Sequence, residues 1–91
     1  MQLEIVSPEA TLFSGAVTSI AVPGVNGEFE MLNNHAPIVS ILKAGYIKIH
    51  GNVQLDEAVQ DKFRKEGNVT LLAISSGTLE MKDNKVIILA D

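Results

Sequence analysis

Gly27-Glu28-Phe29-Glu30-Met31-Leu32-Asn33-Asn34-His35-Ala36-Pro37 is the stretch on which the fold turns. It follows Pro23-Gly24 and a short run with strand character. Phe29 and Met31 alternate with Glu28 and Glu30, and a period of two puts alternate side chains on opposite faces of a strand. Two acids on one face are most simply a solvated exterior, with Phe29 and Met31 turned inward. They are also a possible acid and base pair, but nothing else in the stretch supports that chemistry. His35 has no Asp, Glu or second His at metal-like spacing, and it reads as a local hydrogen-bonding residue.

The same two-residue period recurs outward in both directions. Leu3 and Ile5 alternate with Gln2 and Glu4. Val17 to Val22 is β-branched and small. Ile38 to Leu42 is almost wholly apolar, and Ile47 and Ile49 alternate with Tyr46, Lys48 and His50. Val69 to Ile74, Leu79 to Met81 and Val86 to Leu89 complete the set. Short strands at roughly 8–12-residue intervals predict a mainly β chain, a flattened sandwich or barrel of about 8–10 strands. Ser7-Pro8-Glu9 ends the first strand, since proline cannot donate to a ladder. Pro23-Gly24 and Asn26-Gly27 supply turn geometry, and Asp83-Asn84 suits a two-residue hairpin.

One segment breaks the pattern. In Leu55 to Glu66, apolar residues recur every four positions at Leu55, Val59 and Phe63. Acids come early (Asp56, Glu57) and bases late (Lys62, Arg64, Lys65), which complements a helix dipole. Gly67 suits a C-terminal cap. The spacing predicts a short amphipathic helix from about Asp56 to Glu66. Leu55, Val59 and Phe63 either pin an inserted loop onto the sandwich or carry an extra partner-contact surface.

The chain has 91 residues, 46% hydrophobic and 20% charged, with no cysteine. That is enough for one domain, residues 1–91, which buries roughly 60–65% of its unfolded surface. No apolar run reaches the ~20 residues of a membrane span. No secretory or transit leader is visible at Met1-Gln2-Leu3-Glu4. The net charge of −4 disfavours nucleic acid and anionic lipid as partners. Lys62, Arg64 and Lys65 form one small basic cluster flanked by acids, a mixed solvated face. Ser14-Gly15 and Ser75-Ser76-Gly77 lack a nucleophile-elbow pattern, and no Gly-x-x-x-x-Gly-Lys loop is present. Asn68-Val69-Thr70 matches a glycosylation sequon, which has no force without a secretion signal. No catalytic, cofactor-binding or metal-binding residue is identified, and no nucleophile-base pair for a hydrolase. A small-ligand-binding β-barrel, with Tyr46, His35 and Asn34 as its polar groups, is the competing class. Its weakness is size, because a sandwich this small needs its interior filled.

Several segments in order resemble the epsilon subunit of F-type ATP synthases. They are Leu3-Glu4-Ile5-Val6-Ser7-Pro8-Glu9, Leu12-Phe13-Ser14-Gly15, the Gly27–Pro37 stretch, Ala73 to Met81, and Lys85-Val86-Ile87-Ile88-Leu89-Ala90-Asp91. The resemblance covers nearly the whole chain apart from the segment predicted as a helix, where the family usually has a tight hairpin. It implies a non-catalytic β-sandwich of the central stalk, with one edge on the gamma subunit and the Gly27–Glu30 turn on the polar loops of the c-ring. The implied contact residues are Gly27, Glu28, Phe29, Glu30, Asn34 and His35, with His35 near the same end as the turn. Glu28 matches the family's acidic turn residue. Glu30 stands where the family commonly has glycine and Asn33 where it often has proline, which alters the shape of that loop. The implied location is the cytoplasmic face of a bacterial plasma membrane, peripheral and touching the membrane only through the complex. Longer relatives continue into an inhibitory helical hairpin. The stop at Asp91 leads us to expect that hairpin to be absent, and rotation to be coupled without its brake.

Overall fold

The computed structural model describes all 91 residues, Met1–Asp91. Ten strands follow one another: β1 (Gln2–Val6), β2 (Thr11–Ala16), β3 (Ser19–Gly24), β4 (Gly27–Met31), β5 (Ile38–Leu42), β6 (Gly45–His50), β7 (Phe63–Glu66), β8 (Val69–Ile74), β9 (Gly77–Lys82) and β10 (Lys85–Ala90). They form one continuous sheet in the order β2-β1-β10-β9-β5-β3-β6-β8-β7, with β4 added on β3. Only the β1–β10 pair is parallel. The link between β5 and β3 is a single pair, Gly24 with Leu42. The sheet therefore folds over at that point and its two halves face each other. The mainly β expectation holds, and ten strands is the upper end of the expected range.

Alternation decides what lies between the halves. Leu3, Ile5, Ile20, Val22, Met31, Ile47, Ile49, Leu79, Met81, Val86 and Ile88 all point inward and are essentially inaccessible. Leu42, Leu72 and Ile74 join them in one core cluster. Removal of such side chains from water is the main stabilising term, about 1.5–3 kcal/mol each. All six residues of β3 are buried, on both faces. Its outward Ala21 and Pro23 are small and lie between the longer Glu28 and Glu30 of β4 and Lys48 of β6.

The Asp83-Asn84 hairpin forms as expected, with Lys82 paired to Lys85 and φ of 53° and 60° at the two turn residues. These values are those of a type I′ turn, whose twist matches the flanking strands. The β3–β4 hairpin is placed differently from the sequence reading. Gly24 pairs with Gly27, so Val25-Asn26 is the turn, while Pro23-Gly24 closes β3 and Gly27 opens β4.

The helix expected over Asp56–Glu66 does not form. Asp56 Oδ1 accepts from Ala58 N at 2.9 Å, and Asp56 O accepts from Val59 N at 3.0 Å, which makes a local turn. A single 3₁₀ turn spans Gln60–Lys62, and at Phe63 the backbone is already extended (φ −108°, ψ 156°). Phe63–Glu66 then pairs with Val69–Leu72 of β8. An isolated helix of this length is marginal, whereas a ladder to an existing edge satisfies the same backbone groups and turns Phe63 toward the core. The four-residue apolar spacing does pin the loop: Val59 is buried, and Leu55 and Phe63 pack on the core. Gly67 takes the left-handed backbone a helix cap would need (φ 61°), but in the turn between β7 and β8.

Candidate functional site: a polar turn end and an aliphatic sheet face

Gly27 and Glu28 lie beside the Val25-Asn26 turn, at the end of the molecule that also holds Leu42 and Gly77. Glu28 is exposed, and its Oε1 lies 2.9 Å from Lys48 Nζ. Glu30 is also exposed, and Glu30 Oε2 accepts a 3.4 Å bond from Ser19 Oγ. Phe29 is half-buried and packs on the core, so it supports the turn from inside. The alternation read from the sequence is thus correct for all four positions.

Asn34 and His35 are elsewhere. Asn34 N donates to Asn84 Oδ1 at 2.8 Å, which ties the β4–β5 loop to the Asp83-Asn84 hairpin. That hairpin is at the Lys82 end of β9, whereas the Gly27 turn is at the Gly77 end. The two groups are separated by the length of β9, roughly 17 Å at the usual strand rise. The expectation that His35 sits near the Gly27–Glu30 turn is therefore corrected: β4 runs between them. Asn34 is exposed with φ of 61°, and the His35 ring Nδ1 lies 2.7 Å from Ala36 O. Asn33 Oδ1 accepts from the Met1 ammonium, a second tether on the same loop. Tyr46 is on the outer face of β6, beneath the Arg64 guanidinium at 5.3 Å. Tyr46, His35 and Asn34 line none of five hollows on the molecule, and Tyr46 lies on the outer face of β6, away from the loop that carries the other two.

The sequence reading missed the main apolar surface. On the outside of the first half-sheet, register places Val39, Glu80, Ile87 and Glu4 in one row across β5, β9, β10 and β1. The next row holds Ile41, Thr78, Leu89 and Val6. Val39 is 76% exposed, Ile41 64% and Leu89 55%. At the Gly77 end these rows run into a hollow of about 500 Å³ between Val6, Pro8, Ile41, Leu42 and Leu89. The signal was present in Ile38 to Leu42. An apolar run without alternation predicts a strand buried on both faces, yet here the outer face of β5 is open. Clustered exposed aliphatic residues of this kind mark a surface suited to contact with a protein, a membrane or a ligand.

The comparisons agree with this architecture. Residues 1–91 match the family described as ATP synthase, Delta/Epsilon chain, beta-sandwich domain. An ATP synthase epsilon chain of Campylobacter curvus is 40% identical over 91 residues, all of this chain and 60% of that protein. The chain thus spans about three-fifths of that relative. An epsilon chain of Chlorobium limicola is 34% identical over 90 residues, 99% of this chain and 88% of that one. A chain in the structure of the Tetrahymena thermophila mitochondrial ATP synthase central stalk and c-ring superposes with a TM-score of 0.72. It covers 99% of this chain and 62% of its own, at 14% identity, which speaks for the fold alone. Matched along its whole length and folded from ten strands into two facing half-sheets, the chain belongs to the β-sandwich domain family of the ATP synthase delta/epsilon chain.

Proposed function

We propose that this chain is a non-catalytic rotor element of an F-type ATP synthase. It grips the gamma subunit with its aliphatic face and the polar loops of the c-ring with its Gly27–Glu28 end. The observation that carries the reading is the cluster of Val39, Ile41 and Leu89, exposed to solvent on a fold with a filled core. Permanent subunit interfaces are rich in apolar surface and commonly bury roughly 2,000 Å² or more. The other end offers the complementary kind of contact. Glu28 is held by Lys48 and still has an accessible carboxylate oxygen, suited to polar loops that must be held without a dry interface.

Torque transfer needs a body that does not shear. A core packed to crystal-like density tolerates little volume change, and the two half-sheets share one such core. On this reading, proton-driven rotation of the c-ring enters at the turn end and leaves through the aliphatic face into gamma. Asn34 and His35, at the far end, contact a different part of the stalk from Glu28. No helix of the structure is long and apolar enough to cross a membrane. We place the chain peripherally, on the cytoplasmic side of a bacterial plasma membrane and in touch with it only through the complex.

The test is a pull-down with purified gamma subunit and c-ring. Retention of both by the wild-type chain is expected. Loss of gamma binding on Ile41→Asp, in a chain that still melts cooperatively at the wild-type temperature, would support the assigned face. Binding that ignores this substitution would remove that face from the reading.

A further inference from the structure

The aliphatic face is not uniformly apolar, and its charges are arranged by row. Glu80 lies between Val39 and Ile87, and Glu4 between Ile87 and Ser14, so acids and aliphatics alternate across four strands. The two carboxylates are two strands apart, roughly 10 Å at the normal strand spacing. Neither takes part in an ion pair. The two pairs of the structure, Lys48–Glu28 and Arg64–Glu66, are on the other half-sheet. The row toward the Asp83-Asn84 hairpin is basic, with Lys82 paired to Lys85. The row on the opposite side, Ile41, Thr78, Leu89 and Val6, carries no charge. The face therefore reads in one direction as basic, then acid among aliphatics, then aliphatic.

Glu4 is half-buried and Glu80 exposed, so solvent hydrates both in the free chain. A covering partner would strip that water. A carboxylate buried without a counter-charge is costly, whereas one met by a cation is neutral or favourable. Resting on the proposed gamma contact, we infer that Glu80 and Glu4 are specificity determinants of this face. The gamma surface that covers it presents apolar side chains and two basic residues about 10 Å apart. One basic residue meets Glu80 and the other Glu4, with an apolar side chain seated on Ile87 between them. The graded charge fixes one register. A partner slid one row toward the Asp83-Asn84 hairpin would set one basic residue against Lys82 and its apolar side chain on Lys85. Like-charge contact of that kind rejects a wrong docking pose.

The test compares four chains for binding to the cognate gamma subunit by titration calorimetry at low and high salt. They are the wild type, Val39→Asp/Ile41→Asp, Glu4→Gln/Glu80→Gln and Glu4→Lys/Glu80→Lys, each first shown to melt as the wild type does. The aspartate pair should lose at least 100-fold in affinity. The glutamine pair should lose about 10-fold and much of the salt dependence, and the lysine pair at least 100-fold at low salt. Loss in the aspartate pair with full affinity in the lysine pair would overturn this inference and leave the gamma contact standing. Absence of binding by the wild type would remove the contact itself.

Discussion

Lys48 Nζ lies 2.9 Å from Glu28 Oε1, a side chain of β6 reaching over β3 to one on β4. The reach is possible because Ala21 and Pro23 lie beneath it. The two side chains are 40% and 52% exposed, so the pair stabilises the fold by less than about 1 kcal/mol. Lys48→Met and Glu28→Gln are each expected to lower the unfolding free energy by no more than that in urea titrations. A loss above about 2 kcal/mol would make the pair a structural element.

That small cost makes Glu28 a clean probe of coupling. Glu28→Lys sets two cations against each other at the turn end and removes the accessible carboxylate. ATP-driven proton pumping by the assembled enzyme is expected to fall while the variant domain stays folded. Phe29 does not belong in the same experiment, although the sequence pattern invites it. Its ring packs on the core, and Phe29→Ala is expected to cost about 2 kcal/mol in stability, below the range for a fully buried phenylalanine. Pumping at the wild-type level by the Glu28→Lys enzyme would count against the turn-end contact.

Gly77 opens β9 opposite Ala90 of β10. A Cβ there would sit 2.6 Å from Leu89 O, and a backbone atom cannot swing aside. At Gly67 a Cβ would meet nothing within 4 Å, and the only penalty is its left-handed φ of 61°. Gly67→Ala is therefore expected to cost about 1–2 kcal/mol. Gly77→Ala should cost clearly more and loosen the hollow beside Leu89. Equal denaturation midpoints for the two variants would contradict the packing at β9–β10.

Asn84 does two things at once. It accepts the left-handed turn conformation (φ 60°), and its Oδ1 takes the Asn34 amide at 2.8 Å. Asn84→Gly keeps the first and loses the second, a cost of about 1 kcal/mol. Asn84→Ala loses both and should cost about 2 kcal/mol. Amide hydrogen exchange at Asn34 is expected to quicken in both variants. Unchanged exchange would show that the loop is held by other means.

Local periodicity told the truth wherever the answer was local. The Phe29/Met31 alternation, the Asp83-Asn84 hairpin and most strands needed only neighbouring residues. The helix expected over Asp56–Glu66 failed because β8 offers the segment a ladder, and a window of eleven residues does not show which edge lies beside it. The same blindness hid the aliphatic face. Val39, Ile87 and Val6 are far apart in sequence and become neighbours only through the pairings of β5, β9, β10 and β1. The resemblance implied that His35 shares the turn end, yet Gly27 and His35, close along the chain, lie at opposite ends of β4. Of the candidate contact residues, Gly27, Glu28 and Glu30 are exposed or half-exposed along β4, Phe29 is half-buried against the core, and Asn34 and His35 belong to the opposite loop.

On the proposed reading, gamma covers the face carrying Val39, Ile41 and Leu89 in the assembled enzyme. Photo-cross-linking from an unnatural side chain at Ile41, compared with one at Arg64 on the other half-sheet, tests it most directly. A cross-link to gamma from position 41 and none from position 64 is expected. Cross-links to gamma from 64 alone, or none from 41 in active enzyme, would contradict the account.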